Sequence, residues 1–172
     1  MLKDFLDEYE RYKVMGERAL QQIPDADLNR ILYVDGNSAA MLVRHISGNL
    51  RSRFTDFLTT DGEKPWRDRE TEFATVEYDR QEMEALWAQG WEVLLRELQA
   101  LHDVDLSLSV TIRGKALTVH EALCRSLAHV AMHVGQLILL ARLLHQGEWQ
   151  WISIPKGQSA DYNLNPTMEK KM

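Results

Sequence analysis

The chain has 172 residues, enough for one domain with a core that needs no staples. It is 45% hydrophobic and 27% charged, and 20 Lys+Arg against 26 Asp+Glu give a net charge of −6, so nothing in its charge calls for a nucleic acid or an anionic membrane as partner. Cys124 is the single cysteine, which excludes an intramolecular disulfide and a thiolate-rich zinc site and points to a cytoplasmic setting.

The first predicted helix spans about 2–22, with Phe5, Leu6, Tyr9, Tyr12 and Leu20 at helical spacing, and Pro24 ends it. Its opening stretch MLKDFLDEYERYK is charged throughout and does not read as a signal peptide. Arg30 to Val34 reads as a short extended piece closed by the turn Asp35-Gly36. A second helix over 38–60 starts behind Asn37 or Ser38 and carries Met41, Leu42, His45, Ile46, Asn49, Leu50 and Phe54 before Asp61-Gly62. Glu63 to Tyr78 form the longest connection, whose Glu63, Arg67, Arg69, Glu70 and Glu72 read as a solvated ion-pair face.

Asp79 and Glu82 form a capping box for a third helix over 79–102, with Met83, Leu86, Trp87, Leu94, Leu95 and Leu98 as its stripe. Residues 106–117 alternate like a β-hairpin with its turn at Arg113-Gly114-Lys115. Thr118 and Glu121 cap the fourth and longest helix, 119–146, which Gly147 closes. Its longest apolar run, Leu137 to Ala141, falls short of the roughly 20 residues that span a bilayer. The tail, 148–172, reads as irregular, with Trp149 and Trp151 spaced like a strand. Four amphipathic segments predict an all-α, four-helix bundle, a single domain over 1–172. The long second connection leaves its flanking helices parallel, in up-down-down-up order, with a small hairpin-like connection before the last helix.

The chemistry concentrates in three histidines. His129 and His133, four residues apart in AHVAMHVGQLILLARLLH, share a helix face, and His45 interrupts the apolar stripe of the second helix. Three imidazoles without a fourth protein ligand would make an open metal site, able to take zinc, nickel, iron or copper. Gln136 shares the face of His133, together with Ala122 and Arg125, while Asn49 and Ser52 share that of His45. Asn49 and Gln136 are therefore candidates to orient ligands or a bound water. The zincin motif is absent, because Val130 stands at the position of its glutamate. His102, His120 and His145 read as surface residues near helix ends, and Cys124 as a buried structural residue. Trp66, Trp149 and Trp151 are candidates to wall a pocket.

A histidine in the second helix, a hairpin-like connection, and a last helix reading HVAMHVGQLILLAR together resemble the DinB-like, or YfiT-like, superfamily. RHISGNLRSRFTDFLTTDGEKPWRDR and SIPKGQS are similar to a branch of it without an assigned function. The resemblance implies an up-down-down-up bundle, often dimeric, with a divalent metal on His45, His129 and His133. It also implies a choice of activities: a thiol S-transferase or isomerase using a low-molecular-weight thiol, or a metal-dependent hydrolase. No carboxylate is placed by the sequence as a general base, so the metal would carry most of the activation, with no catalytic side chain assigned. The alternative is a non-enzymatic, metal-binding dimeric scaffold or stress-response protein. Helix lengths raise one discrepancy, because they set His45 and His133 near 9 Å apart in level at roughly 1.5 Å per residue.

Overall fold

The computed structural model describes residues 1–167. Among them the chain is mostly helical, with α1 (Leu2–Leu20), α2 (Ala39–Phe54), α3 (Arg80–Gln99), α4 (Val119–Leu144) and the short α5 (Ser159–Leu164). Between α3 and α4 lies one antiparallel pair, β1 (Ser109–Ile112) and β2 (Lys115–Thr118), in the register Ser109 to Thr118.

The helix starts follow their local chemistry. Ser38 accepts the Met41 amide at 3.2 Å, and Asp79 with Glu82 and Thr118 with Glu121 form reciprocal capping boxes. No side chain next to α1 caps it; the Leu2 amide instead donates to Asp103 Oδ1 at 2.7 Å, across the fold. The hairpin turns at Arg113 and Gly114, both left-handed (φ 53° and 69°), as a tight turn matched to the strand twist requires.

Five features differ from the sequence expectation. α2 stops at Phe54 rather than near residue 60: Thr55 is extended and Asp56 left-handed (φ 50°), and this reversal returns Phe57 to the core, 4.9 Å from the Phe54 ring. α3 stops at Gln99, and the His102 amide instead donates to Asp105 at the head of a 3-10 turn over Asp103–Ser107. That turn absorbs Leu106 and Ser107, so the hairpin begins at Ser109. Residues 30–34 form no strand, because no neighbour pairs with them, and Tyr33 and Val34 are exposed. The tail is irregular only in part, since 159–164 are helical; its last residues, 168–172, lie outside the described residues.

α2 packs chiefly on α3, and α1 on α4. Tyr9 ties the four together: its hydroxyl donates to the Leu123 carbonyl of α4 at 3.1 Å, and its ring meets Phe54 of α2 and Trp91 of α3 edge-on. The end of α1 lies against the start of α3, where Arg80 donates to the Leu20 and Ile23 carbonyls. α4 is long and apolar enough to cross a membrane by length and composition, which no single apolar run in the sequence indicated. Its Leu123, Val130, Val134 and Leu137 are fully buried in this fold, while Met132, Leu139 and Leu143 are exposed.

α2 and α3 meet backbone to backbone at Gly90, where an added Cβ would lie 2.6 Å from the Ser47 Cα. Gly90→Ala gains about 1 kcal/mol of helix propensity, but overpacking there costs about 1–3 kcal/mol because backbone must move. The variant is expected to unfold at lower urea concentration than wild type. An unchanged or higher midpoint would contradict this helix contact.

Candidate metal centre

His45 projects from the middle of α2 and His129 and His133 from consecutive turns of α4, so the site lies where these two helices face each other. One ligand nitrogen from each ring lies within 4.8 Å of the other two, and His45 Nε2 stands 3.1 Å from His129 Nε2. Nitrogens sharing a tetrahedral zinc at about 2.0–2.1 Å would stand roughly 3.3 Å apart, so the spacing fits a shared cation. The expected 9 Å offset does not arise as a separation. α4 has 26 residues against 16 in α2, and its additional turns run past the histidines, to where His145 Nδ1 donates to the Gln22 carbonyl beyond α1.

Two of the rings are oriented from behind. His45 Nδ1 donates to Glu72 Oε2 at 2.8 Å; a carboxylate only accepts, so the proton sits on Nδ1 and the Nε2 lone pair faces the other rings. His133 Nδ1 donates to Gln136 Oε1 at 2.8 Å, with the same consequence. His129 Nδ1 is buried and has no hydrogen-bond partner. Glu72 is itself clamped by Arg67, whose Nε and Nη2 donate to its two oxygens at 2.8 and 3.0 Å, and the Arg67 side chain is only 2% exposed. Space for this carboxylate comes from Gly48, one turn after His45: a Cβ there would lie 2.2 Å from Glu72 Oε1.

Burial lowers the His129 pKa to about 3, aided by the His133 and His45 charges. Burial also lowers that of His133, against the opposing hydrogen bond of Gln136. Both rings are therefore neutral near pH 7, the form that ligates metals. Burial pushes the Glu72 carboxyl up, but hydrogen bonds from His45 and Arg67 outweigh it and hold the pKa below the usual range.

The histidines form the floor of a cavity of about 670 Å³, whose walls include Asn49, Phe54, Phe57, Phe73, Met132 and Gln136. The volume is that of a small-molecule site. A buried three-imidazole cluster backed by a carboxylate is thus present in the chain, with open space beside it.

The chain belongs to the family described as Protein of unknown function (DUF1572), whose model matches residues 1–158. No curated protein and no solved structure matches the chain. The matched span includes all three histidines, Arg67 and Glu72.

The structure also sorts the remaining sequence candidates. Asn49 lines the cavity without a hydrogen bond to the rings, and Ser52 turns away to the Gly62 carbonyl at 2.7 Å. Cys124 is exposed rather than buried, because it falls on the solvent side of α4, 3.9 Å from His120 Nε2. His102 and His120 are exposed as expected, while His145 is half-buried between the Gln22 and Glu148 carbonyls. Trp149 and Trp151 pack on the Arg142 guanidinium and Trp66 on that of Arg51; none of them walls the histidine cavity, but Trp66 lines a smaller one of about 240 Å³ on the other side of Arg67 and Glu72.

Reading residues 63–78 as a solvated face missed Arg67 and Glu72. A 3-10 turn over Glu70–Phe73 folds that connection back over α2, and the charge is buried because it is paired on both sides. The available signal was Gly48, a helix-interior glycine on the histidine side of α2. Glu72→Ala would leave Arg67 buried without a counter-ion, which costs about 3–5 kcal/mol. The variant is expected to lose that much in urea unfolding of the metal-free protein, with Arg67→Ala/Glu72→Ala losing less than the sum of the single variants. Additive losses would mean that the two side chains act independently.

Proposed function

We propose that His45, His129 and His133 hold one divalent cation, with zinc, nickel and iron as the candidates, in a DinB-like up-down-down-up four-helix bundle. The observation that carries this reading is the mutual approach of three ligand nitrogens to within 4.8 Å. The neutral His129 and His133 rings support it, as does the orientation of His45 by Glu72 and of His133 by Gln136. The helix order is supported by Arg80 of α3 capping the end of α1 and by His145 meeting Gln22, which set α1 parallel to α4 and antiparallel to α3.

The activity we infer is that of a metal-dependent transferase of the thiol S-transferase kind, or of a hydrolase. The cavity favours an enzyme over a closed structural site, because a substrate has room beside the histidines. A bound cation supplies a Lewis acid that lowers the pKa of a coordinated water or thiol, or polarises a carbonyl. The chain's own residues orient His45 and His133, and burial keeps His129 and His133 neutral. A reacting thiol would come from a low-molecular-weight cosubstrate, since Cys124 is not in the cavity wall.

A second reading, a dimeric non-enzymatic metal-binding scaffold or stress-response protein, draws on the outer face of α4. There Leu139 and Leu143 are 60% and 63% exposed, an apolar patch that a second copy would cover. We place the protein in the cytoplasm on its single cysteine.

Metal analysis of protein reconstituted with zinc is expected to give one ion per chain in wild type and in His102→Ala. His129→Ala is expected to bind far less and to lose the zinc-dependent rise in melting temperature. Full occupancy in the His129 variant would refute the three-histidine site. Turnover with a panel of thiols and electrophiles then separates the enzyme from the scaffold. For the dimer, sedimentation at micromolar concentration should give twice 19.9 kDa, reverting to 19.9 kDa in Leu139→Glu. A monomeric wild type would remove this part of the proposal.

A further inference from the structure

The walls of the histidine cavity carry a charge opposite to that of the chain. Five arginines line it, Arg53, Arg67, Arg69, Arg113 and Arg125, and Glu70 is the only carboxylate among the lining residues described. Their pairing is incomplete. Arg53 and Arg113 share one carboxylate, Glu63, at 3.1 and 2.8 Å. Arg67 is matched by Glu72, and Arg69 by Glu70 at 3.2 Å. Arg125 has no hydrogen bond or ion pair with any described residue, though it stands one turn before His129 on the same face of α4. Five guanidiniums therefore form ion pairs with only three carboxylates, and even with Asp61 beside Arg53 as a fourth the charge of Arg125 is left in excess around a cavity of about 670 Å³ in a chain of net charge −6.

Such an excess is unfavourable in a concave, partly desolvated space unless an anion neutralises it, and guanidinium is the side chain best matched to carboxylate and phosphate. We propose that the cavity binds a small organic dianion bearing carboxylate or phosphate groups, with Arg125 as its principal anchor. The apolar part of the ligand rests on the phenylalanine walls. This deepens the reading of the cavity as a substrate site beside a metal and rests on it only for where the reaction would occur. The anion subsite itself does not require the metal.

The test is calorimetric titration of metal-free and zinc-loaded protein with phenyl phosphate and with succinate, set against their neutral counterparts phenol and succinamide. At least one dianion is expected to bind the metal-free protein saturably in the millimolar range or tighter, and which one binds distinguishes a phosphate from a carboxylate ligand. Arg125→Ala, at an exposed and unpartnered helical position, should keep the wild-type circular dichroism and weaken binding about tenfold or more. Arg96→Ala, an exposed arginine on α3 outside the cavity, should leave binding unchanged. Equal affinity of Arg125→Ala and wild type, equal binding of the neutral compounds, or no binding of either dianion would overturn the proposal. Loss of zinc binding with anion binding intact would remove the metal reading and leave this one standing.

Discussion

The hydrogen bond from His45 to Glu72 is the interaction on which the polar interior depends. An imidazole 3% exposed, on the buried side of α2, is tolerable only if its N–H is satisfied, and its acceptor belongs to a loop rather than to another helix. Burying that carboxylate in turn requires Arg67, and fitting it against α2 requires Gly48. Four residues from two segments thus form a single electrostatic unit. Its outward face is one nitrogen lone pair directed at α4.

The helices hold this unit steady by means unrelated to its chemistry. Tyr9 joins α1 to the other three long helices through one hydrogen bond and two edge-on ring contacts, and Gly90 lets α2 lie against α3 at backbone distance. With α2 fixed from that side, His45 has a defined height and rotation, and α4 needs only its own helical repeat to bring His129 and His133 to face it. The rigidity that a metal or substrate site needs therefore comes from packing on the faces of α2 and α4 that the site does not use.

Charge is distributed with a similar division of labour. In a chain of net charge −6 arginines are concentrated in one cavity, and the two most buried of these, Arg53 and Arg67, are held by carboxylates from the same connection. Their guanidiniums serve first as structural counter-ions. Arg69, Arg113 and Arg125, nearer solvent, are the ones whose charge is least committed to the fold.

Much of this protein was legible from local signals. Capping residues and the 3.6-residue repeat located the starts of α2, α3 and α4, because those features act within one or two turns of the chain. The same repeat put His129, His133 and Gln136 on one face, and the break in the apolar pattern at His45 marked a buried polar group. The ends of α2 and α3 were not legible, since they are set by where Phe57 and the 103–107 turn find space in the core. Nor were Arg67 and Glu72: a charged loop looks the same in sequence whether it is solvated or folded under, and only its pairing with His45 across 27 residues decides. Sequence by itself thus determined which groups needed partners, through periodicity and capping. The tertiary structure alone decided which partners met, because burial and ion pairing are properties of segments brought together in space.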